Sequence, residues 1–339
     1  MHKSILLQTL SEAGEHKAIP IILGVLAAQW KCPELRPGDD ASCLSAEYSN
    51  LLLKIDGYSI KSSMLPWMSL YDVGWKAVTA VASDLIAKGG KPLAFTVSIG
   101  LRGSRKISEL LALILGVANS ARTHGAWLLG GDTNSSQADE WIDVAGVAHA
   151  NRVIPCKPRE DDIVVVTRGR IGYGGVVLDV IRRGVKLDSN KYSIIIKETK
   201  NPIARLEFLD IVDKLANCIT ASTDVSDGLS YSLYTLSLKA NRIINLEEVP
   251  VEPCVVNYAI ENNLDPIQLA LYGGEEYEIV FTVSKTCLKD LEEFINKGVV
   301  AVIGKVTTTR GVGVKYRDNP IQLRRWDQFK GLSTIDQNT

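Results

Sequence analysis

The sequence predicts a chain of mixed α and β structure in two domains, layered as α+β or α/β. Three observations carry that reading. The 339 residues exceed a usual single domain. Strand-like runs alternate with helical ones. Residues 151–162, Asn-Arg-Val-Ile-Pro-Cys-Lys-Pro-Arg-Glu-Asp-Asp, interrupt the pattern with proline and charge. The boundary is expected there, dividing the chain into 1–155 and 156–339.

In the first half, strands are expected at Leu51 to Asp56, Ala94 to Leu101, Trp127 to Gly130 and Ile142 to Ala150, with helices at Asp72 to Ala87 and Ile107 to Arg122. The second half opens with the β-rich run Ile163 to Thr167. A glycine-rich turn (Gly169, Gly172, Gly174, Gly175) then leads into a helix through Arg183. That turn matches neither the dinucleotide fingerprint nor a P-loop with its lysine and hydroxyl, so a plain strand-to-helix turn stands against a phosphate cradle. Beyond it come helical residues 204–216, a strand at Ile219 to Ser222 and a helix after Gly228. Further strands fall around Arg242 to Leu246, Glu278 to Val283 and Val299 to Ile303.

A net charge of -1, from 38 basic and 39 acidic residues, leaves no electrostatic footprint for nucleic acid or an anionic membrane. The six cysteines, Cys32, Cys43, Cys156, Cys218, Cys254 and Cys287, include no close pair of the kind zinc or redox motifs need. They read as small buried hydrophobes in a reducing cytoplasm. The apolar stretch Ala18 to Trp30 is too short to span a bilayer and lacks the flanks of a signal peptide, so the expected location is cytoplasmic.

Six aspartates stand out against apolar and small neighbours: Asp40 in Gly38-Asp39-Asp40, Asp56 after Leu51-Leu52-Leu53-Lys54-Ile55, Asp84 in Ala82-Ser83-Asp84-Leu85, Asp132 in Gly130-Gly131-Asp132-Thr133, and Asp224 and Asp227 in Asp224-Val225-Ser226-Asp227-Gly228. An unpaired buried carboxylate costs several kcal/mol or neutralises itself. Acidic groups at successive loop and strand ends fit the holding of hard cations, and magnesium commonly bridges carboxylates to phosphates. Blander roles stand beside this one. Asp84 and Lys88 have the spacing of a solvated i,i+4 pair, Asp224 and Asp227 that of helix caps, and Asp40 sits as a turn former beside glycine.

Read in order, these segments, with Gly14-Glu15, Gly74-Trp75-Lys76-Ala77, Gly273-Gly274-Glu275-Glu276-Tyr277-Glu278 and the Trp326-Asp327-Gln328-Phe329 tail, resemble thiamine-monophosphate kinases. That family belongs with aminoimidazole ribonucleotide synthetase, selenophosphate synthetase and a carbamoyl-dehydrating hydrogenase-maturation protein. The resemblance implies an α+β, two-domain synthetase-like fold, with an N-terminal αβ domain forming a barrel in a homodimer and a C-terminal α+β domain. It implies ATP and magnesium as co-substrate and cofactor, and thiamine monophosphate as acceptor. Magnesium ligands fall at Asp40, Asp56, Asp84, Asp132, Asp224 and Asp227, with Asp84 and Asp132 as catalytic residues. ATP contacts fall at Gly131, Asp132 and Ser226, and acceptor contacts at Ser63, Glu275 and Trp326.

Three positions depart from the family pattern. Ile55 replaces a threonine, Ser63 a histidine, and Pro155 an arginine whose ATP contact Arg152 or Arg159 would have to supply. The relatives fit less well. No cysteine follows Cys287, Cys32 lacks a glycine-rich setting, and Lys54-Ile55-Asp56-Gly57 stands where the ribonucleotide synthetase has Val-Gly-Thr-Lys. Two alternatives stay open: a superfamily enzyme with another acceptor, or a non-catalytic nucleotide-binding dimeric scaffold. Trp326 likewise reads either as a ring stacked on a heterocycle or as a tail anchor.

Overall fold

The computed structural model describes residues 42–45, 50–215, 217–327, 329 and 331–334. Asp40, Cys32 and the Gly14 segment lie outside them.

The first sheet has five strands in the order β1-β2-β5-β3-β4: β1 (Ser42–Ser45), β2 (Asn50–Ser59), β3 (Lys91–Leu101), β4 (Trp127–Ser135) and β5 (Trp141–Ala150). All neighbours are antiparallel except β3 and β4. Every second residue of β5 is buried, the period-2 pattern of a sheet with one covered face. Helices α1 (Leu70–Ala87) and α2 (Ile107–Thr123) supply the cover, packing Val73, Val81, Leu113 and Val117 against Phe95, Val97 and Val144. Ser69 and Asp72 start α1 with a capping box.

The second sheet has the order β12-β11-β8-β10-β6-β9-β7. Its centre is β6 (Ile163–Thr167), β7 (Ile219–Val225) and β9 (Glu278–Val283), flanked by β8 (Arg242–Leu246) and β10 (Val300–Arg310), with short β11 (Val314–Tyr316) and β12 (Asn319–Pro320) at the rim. β7 and β9 are buried throughout, because this sheet is covered on both faces. One face, with Val165, Ile279 and Phe281, joins the core built around α1. The other, with Val164, Val166 and Val280, packs on α6 (Leu229–Ala240) and α8 (Pro266–Tyr272). Around them lie α3 (Tyr173–Arg183), α4 (Ser193–Lys200), α5 (Glu207–Lys214) and α7 (Pro253–Asn262). A separate hairpin pairs β13 (Arg324–Asp327) with β14 (Gly331–Thr334).

Helix α1 is shared between the two sheets, and nearly its whole surface is buried. Its polar residues Asp72, Lys76, Thr79 and Ser83, with Lys88 just past its end, recur at steps of three to five, forming one stripe toward the second sheet. Main-chain and side-chain groups of the second half meet that stripe. Asn201 donates to Asp72 (3.0 Å), Thr79 to the Pro202 carbonyl (2.8 Å), Ser83 to Asp224 Oδ2 (2.9 Å) and Lys88 Nζ to the Ser222 carbonyl (2.6 Å). Asp84 and Lys88 are therefore no solvated pair, since both are buried.

Several sequence expectations change in the structure. β4 runs on past Gly130 to Ser135, and β10 to Arg310, because each continues to pair with its neighbour. Helices α4, α7 and α8 add to the expected elements, although α7 and α8 each open on proline at the first turn and Asp265 caps α8 by accepting from Ile267 N (2.9 Å). Cys218 and Cys287 form a disulfide across 69 residues of sequence, so they are not separate buried thiols; Cys156 is buried and unbridged as expected. Among the described residues no helix is long and apolar enough to cross a membrane.

Candidate active site

The carboxylates gather where α1 passes between the two sheets. Asp56 lies in the interior of β2 rather than at its end, in register with Val144 of β5 and so on the face toward α1. Lys54, two residues earlier on the same face, places Nζ 3.3 Å from Asp56 and 2.7 Å from Asp84. Ser83, next to Asp84, reaches across to Asp224 at the end of β7. Ser226 donates to Asp224 Oδ1 (3.1 Å) and offers its carbonyl to Glu275 N (2.6 Å). Asp227 follows one residue later, half-buried. Neither Asp224 nor Asp227 caps α6, whose N-cap is Gly228 without a side-chain cap bond.

The ring closes through Lys76 of α1. Its buried ammonium donates to Glu275 Oε1 (2.9 Å) and Oε2 (3.0 Å) and to the Ser63 carbonyl (2.8 Å), and it lies 5.7 Å from the centre of the Tyr58 ring. Ser63, in the helical turn Ile60–Ser63, is thus brought to Glu275 through its main chain. Glu275 and Tyr277 both sit in the left-handed region, at φ of 58° and 51°, a conformation that costs a non-glycine residue about 1 kcal/mol or more.

Surrounding contacts hold that strained segment. The amides of Glu276 and Tyr277 donate to the Val225 carbonyl (3.2 and 3.0 Å), and Arg170 Nε donates to the Glu276 carbonyl (2.8 Å). The buried Glu276 side chain takes the Gly172 amide (2.6 Å) and the Gly174 amide (3.3 Å). The glycine-rich turn therefore cradles a carboxylate of its own chain. Glycine is required there because a Cβ on Gly174 would collide with the Gly274 carbonyl, and one on Gly273 with the Gly175 amide.

Two phenols register the local field. Tyr58 titrates well above its ordinary range, first through burial and then through the negative charge of Glu275, Asp56 and Asp84. Tyr277 is raised likewise, by burial, by Tyr58 and by Glu275 and Asp224. An anionic site lined by aspartates and a hydroxyl has the hard-oxygen donors that suit a divalent cation.

Not every expected residue joins this ring. Asp132 lies in β4 in register with Ser98, which is in register with Asp143 and, through it, with Gly57. That row occupies the face of the sheet away from α1, three strands over from Asp56. Within one chain Asp132 does not reach Asp56 or Asp84. Gly131 is demanded by packing, since a Cβ there would strike the Val97 carbonyl. Trp326 pairs with Leu332 in the terminal hairpin. Arg152 lies beyond the far end of β5 and donates to the Ile219 carbonyl (2.9 Å), while Arg159 offers its amide to Asp162 (2.7 Å).

Comparison with known proteins agrees with this architecture. The AIR synthase related protein N-terminal domain matches residues 38–150. The thiamine-monophosphate kinase of Pyrococcus horikoshii is 30% identical over 299 residues, covering 87% of this chain and 91% of its own length. The chain belongs to the thiamine-monophosphate kinase family. The enzyme of that name from Nitrosopumilus maritimus is 29% identical, over 83% of this chain and 90% of its own. Among solved structures, tt0281 from Thermus thermophilus superposes with a TM-score of 0.82 at 32% identity, covering 92% of this chain and 99% of that one. AaThiL complexed with AMPPCP and TMP superposes at 0.83 with 25% identity, over 95% and 99%.

Sequence reasoning missed Lys54 and Lys76. The signal for Lys76 was present in the stripe of α1: a lysine at helical spacing between Asp72 and Thr79 faces inward with them.

Proposed function

We propose that this protein transfers the γ-phosphoryl group of ATP to thiamine monophosphate, forming thiamine diphosphate in a magnesium-dependent reaction. One observation carries the reading: in a chain of this family, Asp56, Asp84, Asp224, Ser226 and Glu275 converge from two sheets on one anionic site. Two polyanions must meet there, and an acidic pocket repels both. Bound magnesium supplies the neutralising charge and polarises the transferred group.

The chain's own residues divide the remaining work. Asp56, Asp84, Asp224 and Asp227 would hold the metal cluster, whose Asp56–Asp84 edge Lys54 bridges, with Asp40 assigned to the same set, and Ser226, which orients Asp224, would meet the nucleotide. Glu275, set by Lys76 and by the Glu276 anchor, meets the acceptor, whose thiazolium ring carries a positive charge. Trp326 is assigned to stack on that ring. No base is required, because the acceptor phosphate is already ionised near neutral pH, so transfer is direct and in line. The site residues 40–132 and 224–326 fall on either side of the proposed division at 155/156.

The working unit is a homodimer. The face of the first sheet away from α1 exposes Ile55 and Trp127 (65% each) and Leu129 (71%), with Leu53 beside them. A sheet face of that character calls for cover. A second copy laid against it covers those residues, and the assignment of Asp132 and Gly131 to metal and ATP then rests on the assembled dimer rather than on one chain.

An acceptor panel tests the activity. Incubation with ATP, magnesium and, separately, thiamine monophosphate, thiamine or aminoimidazole ribonucleotide precursor should yield a phosphorylated product with the first alone. Product from another acceptor in preference to it overturns the assignment.

A further inference from the structure

Lys54 and its two carboxylates carry a consequence for how many metal ions the cluster accepts. Nζ lies 2.7 Å from Asp84 and 3.3 Å from Asp56, so one ammonium bridges two side chains that face each other across β2 and α1. Those two oxygens have the setting a divalent ion needs, and the bridging charge already sits between them. A flexible four-carbon stem delivers it from the same strand as Asp56, on the same face, so the bridge is built into the local sequence Lys54-Ile55-Asp56.

We propose that the Lys54 ammonium is a resident cation of the cluster, standing in for one divalent ion between Asp56 and Asp84. This deepens the reading of the cluster as a metal and phosphate site and rests on it. A divalent ion approaching the pair meets a positive charge at contact distance. It is therefore directed toward the Asp224 and Asp227 side of the cluster, beside Ser226. Lysine suits the role better than arginine, being a compact point charge that fits between two single carboxylate oxygens. One ammonium between two carboxylates leaves that pair with net negative charge, so the cluster as a whole still attracts cations.

The test counts ions rather than turnover. Mn2+ is titrated into the full-length protein in the presence of AMPPCP, and bound Mn2+ per chain is read by electron paramagnetic resonance for wild type, Lys54→Met and Lys54→Gln. Both variants should take up one more ion per chain than wild type, with affinity for it about tenfold or more above any weak extra binding in wild type. In metal-free buffer their melting temperature should fall, through repulsion between Asp56 and Asp84, and Mn2+ should restore it to a greater extent than it raises that of wild type. Equal ion counts overturn the proposal. So does failure of both variants to fold even with Mn2+ present, since an ion replacing the ammonium would have rescued the pair. No acceptor is used, so a failed phosphorylation assay and a failed ion count are separate results.

Discussion

A lysine with 1% of its surface exposed has left water behind, and Lys76 is tolerated there because three acceptors meet its ammonium. Its position between the Ser63 carbonyl and Glu275 makes it the link between two of the three expected acceptor contacts. Lys76→Met should therefore raise the KM for thiamine monophosphate about tenfold, while the KM for ATP stays near wild type. Steady-state kinetics with each substrate varied in turn checks this, and a parallel rise in both constants would contradict the assigned role. At this scale the aspartates were conspicuous, Lys76 was signalled only by its place in the α1 stripe, and Lys54 was not legible. A carboxylate beside glycine in an apolar run is conspicuous, whereas Lys54 and Lys76 carry the side chain most often found in water. Only the folded structure reveals which carboxylates they bridge. Asp84 with Lys88 misled for the same reason: the i,i+4 spacing was right, but the face was the buried one.

Among the elements, α1 decides most of the site, because a helix buried between two sheets must present polar groups to both without leaving any unpaired. His124, the residue just beyond α2, does similar work at a second crossing. Its Nδ1–H donates to the Ser120 carbonyl (2.8 Å) and its Nε2 accepts from Ala204 N (3.0 Å), which fixes the neutral tautomer and ties α2 to the second half. Burial holds its pKa down to about 4. A depressed folded-state pKa means that the contribution is fully present above the unfolded value of about 6.5 and is lost as pH falls toward 4, by up to about 3 kcal/mol. Chemical denaturation at pH 7 and pH 4.5 should show wild type losing more stability than His124→Asn, and equal losses would contradict it. Strands β2, β5, β6 and β9 were readable from period and apolar runs. The extra length of β4 was not, because Gly130, Gly131 and Asp132 look like a turn until β3 pairs with them. The glycine-rich turn was ambiguous for a similar reason: its amides face Glu276, about a hundred residues away in sequence.

At the scale of the whole molecule, the exposed apolar face of the first sheet and the position of Asp132 make one argument. A residue on the far face, three strands from Asp56, serves the same site only if a second chain supplies it. Mixing Asp84→Asn with Asp132→Asn subunits, each inactive alone, should therefore restore activity to about a quarter of wild type, since half the pairs are mixed and each has one intact site. No recovery after subunit exchange, or a monomer by light scattering at micromolar concentration, would contradict the shared site. The mixed α and β layering was legible from strand-like runs alternating with helical ones. The continuous core that α1 builds with both sheets was not, because it depends on long-range pairing. The central claim is metal-dependent transfer to thiamine monophosphate at the carboxylate cluster. Its most direct measurement follows label from [γ-32P]ATP into product, for wild type with and without chelator and for Asp84→Asn. The account predicts one labelled thiamine diphosphate per ADP in wild type with magnesium and loss of transfer in both other cases, with Asp84→Asn folded as wild type. ADP formed without labelled thiamine diphosphate, or transfer that survives chelation, would contradict it.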